Sequence, residues 1–205
     1  MYNPNTMAMH LQNLMRVAKA QGLIRTRDLA EHGIPRQYLS IACEQGLLER
    51  LDRGLYTIPD AIQSEHRSLV EVCKRVPHGV ICLLSALQFH GMTTQNPFEV
   101  WLAIGASKEI PRLRLVQLRI ARFSAASLQA GVETHDVSGA ELRVFSAAKT
   151  VADCFKYRNK IGVDVATEAL RDYLRLRKGA IDDLMTYAKV CRVERVMEPY
   201  LEALL

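Results

Sequence analysis

Between Gly22 and Pro59 the chain reads GLIRTRDLAEHGIPRQYLSIACEQGLLERLDRGLYTIP, and the punctuation of this stretch restricts its fold more than any other feature. Thr26 is placed to cap a short helix that carries Leu29 and Ala30 inward. His32-Gly33 stops that helix, because glycine enters the left-handed C-terminal conformation at little cost. Pro35 opens a second helix, where its missing N–H is no loss. Leu39, Ala42 and Cys43 recur there at three-and-four spacing, and Gly46 ends the helix. Two strand-like runs follow, residues 47–51 and 55–58, separated by Asp52-Arg53-Gly54, which predicts a β-hairpin. Helix, turn, helix and hairpin together outline a winged helix-turn-helix, a shape that lays its second helix in the DNA major groove.

On either side the patterning is that of an α+β chain. Met7, Leu11, Leu14, Met15 and Ala18 predict a first helix over residues 7–21. Pro59-Asp60 ends the hairpin, so a small domain is expected over residues 1–60 and a second over 61–205. The second opens with a helix from about Ser64 to Val76. VICLLSALQFH, residues 80–90, reads as a buried helix, with a strand at its start as the alternative. Strands are expected over Phe98–Ile104, Ile110–Phe123, Val132–Val137 and Glu141–Phe145. The period then turns helical: Ser146 caps SAAKTVADCFKYR, with Val151, Cys154 and Phe155 inward. A helix after Gly162 follows, with Val165, Ala166, Ala169, Leu170, Tyr173 and Leu174 inward, and two more close the chain. Helices, a small sheet and further helices make a mixed second domain.

Charge and cysteine usage narrow the class. The net charge of +5 over 205 residues is mildly basic, compatible with a nucleic-acid partner. No apolar run approaches the ~20 residues of a membrane span, and the N-terminus lacks the layout of a signal peptide. Five scattered cysteines, at 43, 73, 82, 154 and 191, form no CxxC pair, which points to reduced thiols in a cytoplasmic protein. No metal site and no cofactor are expected.

Within the first domain, Arg36, Gln37 and Ser40 fall on the outer face at the start of the second helix, where Arg and Gln can pair with base edges. Tyr38 either touches a phosphate or thymine methyl or packs into the turn. Arg25, Thr26 and Arg27 begin the preceding helix, a position that suits a phosphate, and Arg50 and Arg53 on the hairpin suit phosphate or the minor groove. Residues 1–60 hold seven Lys/Arg against six Asp/Glu, a net of +1, so clustering matters more there than total charge. In the second domain two basic groups are candidate surfaces for a nucleic acid or an acidic partner: Lys108, Arg112, Arg114, Arg119 and Arg122, and then Lys149, Lys156, Arg158 and Lys160. A solvated strand face and helix end explain them equally well.

Catalysis has little support. Glu99, Asp136 and Glu141 are acids on or near strands, but none is followed by the acid-x-lysine that a metal-dependent nuclease needs. Ser85 and His90 lie outside any Gly-x-Ser-x-Gly elbow.

The stretch quoted at the outset, together with LLSALQFHGM, FEVWLAI and SAAKTVADCFKYRNKIGVDVATEALRDYL, resembles the AbiEi-type antitoxins, transcriptional regulators of type IV toxin–antitoxin and phage-defence systems. These pieces cover most of residues 10–176. The resemblance implies a winged domain that binds repeats in the promoter of its own operon and represses it. It also implies a C-terminal domain that counters a nucleotidyltransferase toxin without a stable complex. It transfers no catalytic residue. A regulator without antitoxin role and a protein-interaction module remain alternatives, and a metal-dependent nuclease is less favoured.

Overall fold

The computed structural model describes residues 4–59, 66–95, 97–110, 116–137 and 140–205. Contacts divide the chain into two compact units, Met1–Lys74 with Asp136–Glu141, and Arg75–His135 with Leu142–Leu205. Both mix helices and strands, the α+β class expected. The boundary expected at residues 60–61 lies outside the described residues.

The first unit begins with α1 (Pro4–Gln21), which starts slightly earlier than its apolar pattern predicts. Leu14, Val17 and Ala18 of α1 are buried with Ile24, Leu29, Ile34, Tyr38, Leu39, Ala42 and Leu48 in one small core. After α1 come β1 (Leu23–Arg25), α2 (Asp28–Glu31), α3 (Gln37–Glu44), β2 (Glu49–Asp52), β3 (Leu55–Thr57) and α4 (Arg67–Arg75). The β2–β3 hairpin is present as expected, with a register shift between Arg50 and Asp52. What the sequence pattern does not reveal is β1. It pairs antiparallel with β3, Leu23 opposite Thr57 and Arg25 opposite Leu55, and so completes a three-stranded sheet in the order β1-β3-β2. Three residues are too few to display the alternation by which strands are read.

Thr26 does not cap α2. Its N–H donates to the Gly54 carbonyl at 3.0 Å, tying the turn of the hairpin to the segment after β1. Gly54 has a φ of +73°, and a Cβ there would lie 3.1 Å from Thr26 Oγ1, so this turn is built for glycine. No side chain caps α2, and Asp28 at its start instead reaches back to β1, its carboxylate accepting from the Arg25 N–H at 2.9 Å.

The second unit has a five-stranded sheet in the order β6-β5-β4-β8-β7. Its elements are β4 (Val80–Ile81), α5 (Leu83–Phe89), β5 (Val100–Gly105), β6 (Leu118–Phe123), α6 (Ala125–Gln129), β7 (Val132–Val137) and β8 (Ala140–Phe145). Residues 80–90 thus hold both readings in turn, a strand and then a helix. The strand expected from Ile110 is observed from Leu118, and residues 111–115 lie outside the described residues. β5 runs parallel to β6 and antiparallel to β4, and β4 is parallel to β8. Five helices follow: α7 (Ala147–Lys156), α8 (Arg158–Ile161), α9 (Val163–Arg175), α10 (Ile181–Cys191) and α11 (Glu194–Glu202).

Helix α7 is the centre of this unit. Ser146 caps it as expected, its Oγ accepting from the Lys149 N–H at 3.3 Å. Val151, Cys154 and Phe155 are fully buried, but so are Lys149, Thr150 and Asp153 on the other side. α5, α9, α10 and α11 all pack against it. Gly131, with a φ of +67°, lets the chain pass close by: a Cβ there would sit 2.8 Å from Lys149 Cβ. The Ser146 N–H donates to the Gly131 carbonyl at 2.7 Å, fixing the entry to α7.

Candidate nucleic-acid interface

Helix α3 is divided lengthwise. Tyr38, Leu39 and Ala42 are buried in the core of the first unit, while Arg36, Gln37, Ser40 and Glu44 are exposed. The apolar spacing forces this division: once Tyr38, Leu39 and Ala42 face inward, 3.6 residues per turn carry positions 37, 40 and 44 to the opposite side, and Arg36 stands exposed at the cap just before the helix. Tyr38 is therefore a correction among the expected contact residues. Only 3 % of it is exposed, and its ring packs on His10 with centroids 4.8 Å apart. It packs in the core of the first unit against α1 and is shielded from any phosphate.

Arg25 is half-buried and committed to the fold. Its Nε donates to Asp28 Oδ1 at 3.1 Å and its Nη1 to the Lys74 carbonyl at 2.9 Å. Lys74 Nζ in turn donates to the carbonyls of Leu23 and Gln21. Burial pushes the Lys74 ammonium below its ordinary range, with Asp28 opposing the shift. This cluster of Arg25, Asp28 and Lys74 joins β1, α2 and α4. The sequence gives no sign of it, because a lysine beside Cys73 on an amphipathic helix has the pattern of a solvated side chain. Arg27 remains outward, its side chain 67 % exposed and 3.9 Å from Asp28. Arg50 and Arg53 are exposed on the hairpin, on β2 and at its turn. The described first unit thus presents Arg36, Gln37 and Ser40 on one helix face and Arg27, Arg50 and Arg53 as exposed cations.

The basic groups of the second unit fare differently. Lys149 is a correction: it has no exposed surface, and its Nζ lies 2.6 Å from both Asp153 carboxylate oxygens and 4.2 Å from the Phe145 ring centroid. A lysine in such a place must be paired, because an isolated buried charge is too costly to keep. The Cys191 thiol donates to Asp153 Oδ1 at 3.2 Å, and burial raises its pKa to about 12. Arg122 is exposed, but its Nη1 donates to the carbonyls of Gly105, Ala106 and Lys108. Arg119 lies 3.8 Å from Glu99 and over the Trp101 ring. Arg158 donates to the Phe155 carbonyl at 2.9 Å, and Lys160 stands over Tyr157. Lys108 and Lys156 are exposed. Arg112 and Arg114 lie outside the described residues. Ser85 and His90 form no catalytic pair: Ser85 Oγ accepts from the Trp101 N–H, and His90 Nε2 donates to the Phe145 carbonyl at 2.7 Å. Among the described residues no group of His, Cys, Asp and Glu is arranged to hold a metal ion, and no helix is long and apolar enough to cross a membrane.

The fold is similar to that of the RV2827C protein from Mycobacterium tuberculosis, whose crystal structure superposes with a TM-score of 0.59 at 14% identity. The similarity covers 96% of this chain and 81% of that one. No curated protein sequence matches the chain. Residues 12–59, which contain α3 and the β2–β3 hairpin, match the model of the family described as transcriptional regulator, AbiEi antitoxin.

Proposed function

We propose that α2, α3 and the β2–β3 hairpin form a winged helix-turn-helix that binds double-stranded DNA, and that the protein represses transcription of its own operon by binding repeats in the promoter. The observation that carries this reading is the divided surface of α3, buried on Tyr38, Leu39 and Ala42 and polar on Arg36, Gln37 and Ser40, within the segment that matches a regulator family. Arg36 and Gln37 are the base-reading residues, with Ser40 beside them, because both side chains can make paired hydrogen bonds to a purine edge. Arg27, Arg50 and Arg53 contact phosphates or the minor groove and set the register. Arg25 and Thr26 act through the fold, one clamping α2 and the other holding the hairpin turn.

The second unit carries the antitoxic activity in this reading, countering a nucleotidyltransferase toxin in the cytoplasm without a stable complex. A regulator without antitoxin role is the second reading, favoured by the confinement of the family match to residues 12–59. A gel-shift titration of the full chain against its own upstream DNA and a scrambled fragment tests the DNA claim. Specific binding should exceed the scrambled control by roughly 10³-fold or more and weaken as salt rises. Equal affinity for both fragments contradicts it. Rescue of growth when the chain is expressed beside the neighbouring toxin gene separates the two readings of the second unit.

A further inference from the structure

We propose that the second unit contains a binding site for a small phosphorylated ligand of mononucleotide size, independent of DNA binding by the first unit. The site is a cavity of about 370 Å³ reached by the ends of β6, α7 and α10 and by α6. That volume is in the range of pockets that enclose small molecules. Three cations line it, Arg122, Lys156 and Arg192, and no carboxylate does among the described residues. Two other cavities of this unit differ on that point. One is lined by Glu133 and Asp183, the other by Asp164, Glu168 and Asp172.

Cations at helix C-termini are common, since they offset the carbonyl end of the dipole, and Lys156 and Arg192 both stand at such ends. Two further features go beyond that explanation. Arg192 takes the left-handed conformation, φ 59° and ψ 42°, a position where glycine or asparagine is the inexpensive choice. A long cationic side chain there carries a backbone cost. Arg122 is fixed by its three carbonyl bonds, and the Tyr157 hydroxyl donates to the Arg122 carbonyl at 2.7 Å, so the wall is already ordered before a ligand enters. Lys156 and Arg192 form no ion pair among the described residues. Phosphate oxygens would take hydrogen bonds from these two cations, and the uncharged part of the ligand would lie against Tyr157 and Val190.

Isothermal titration of the full chain with AMP, inorganic pyrophosphate and adenosine, at physiological salt, tests the site. AMP should bind saturably at one site, pyrophosphate more weakly, and adenosine not detectably. Lys156→Ala and Arg192→Ala, both at exposed positions, should each weaken AMP binding about tenfold. Ala126→Phe, which fills the cavity from exposed α6 and leaves every charge in place, should abolish it. Absence of binding by AMP and pyrophosphate at millimolar concentration overturns the proposal, as does AMP binding unchanged in Ala126→Phe. Binding of a short single-stranded oligonucleotide but not of AMP overturns it in favour of a nucleic-acid strand.

Discussion

Helix α3 buries Tyr38, Leu39 and Ala42 and leaves Gln37 and Ser40 in solvent, whereas α7 buries every side chain from Ala147 to Phe155, Lys149 and Asp153 included. Both helices carry polar residues between apolar ones, yet the polar residues do opposite work. Those of α3 face outward, where a partner can reach them. Those of α7 are spent on each other and on the surrounding core. A helix at the edge of a small core is free to carry recognition; a helix at the centre of a large one must have its charges satisfied internally.

The largest effects are expected at α7. Asp153→Ala leaves Lys149 buried without its partner and should destabilise the second unit by roughly 3–5 kcal/mol in urea unfolding. The double replacement Lys149→Met with Asp153→Leu removes both charges and should restore most of that loss, since well-packed apolar pairs often match a buried ion pair. Equal damage from the single and the double replacement would show that packing, rather than the unpaired charge, dominates. Gly131→Ala places a Cβ 2.8 Å from Lys149 Cβ at a φ of +67°, and should cost about 1–3 kcal/mol by strain and crowding.

At α3 the expected effect is on binding alone. Arg36→Ala should weaken binding to the specific site by about 1–3 kcal/mol and shift thermal stability little, because the side chain is exposed. A comparable loss of stability would place Arg36 in the fold and remove it from the interface.

The smallest effect concerns pH. His90 is held below its ordinary value by burial, with its bond to the Phe145 carbonyl opposing the shift. The unfolded chain then takes up the proton first, so stability is full above about 6.5, the ordinary value, and declines as pH falls through it toward the folded value. His90→Asn should flatten this shallow acid-side decline. An unchanged pH profile would assign it to other groups.

The same contrast explains what was legible in the sequence. The α1, α3 and α9 helices and the hairpin were readable because each has one buried and one solvated side, and that alternation is written in residue order. The burial of Lys149 was not. Lys149 and Asp153 are four residues apart, the same spacing that an exposed helical ion pair uses, and nothing in SAAKTVADCF distinguishes the two situations. Arg25 has the pattern of a surface cation because one of its partners, the Lys74 carbonyl, is 49 residues away. Tyr38 was ambiguous because it borders the apolar stripe, and only the packing of α1 behind it, through His10, settles its side. The outward positions of Arg36, Gln37, Ser40 and Arg53 follow from helix period and turn chemistry, both local properties of the sequence.

In the proposed function the exposed face of α3 reads DNA sequence while the hairpin arginines hold the backbone. The most direct test is the ratio of affinities for upstream and scrambled DNA, measured across a range of salt for the wild type, for Arg36→Ala with Gln37→Ala, and for Arg53→Ala. The α3 double variant should lose the ratio and keep most of the salt slope. Arg53→Ala should keep the ratio and reduce the slope by about one. A double variant that discriminates as well as the wild type would move recognition away from α3.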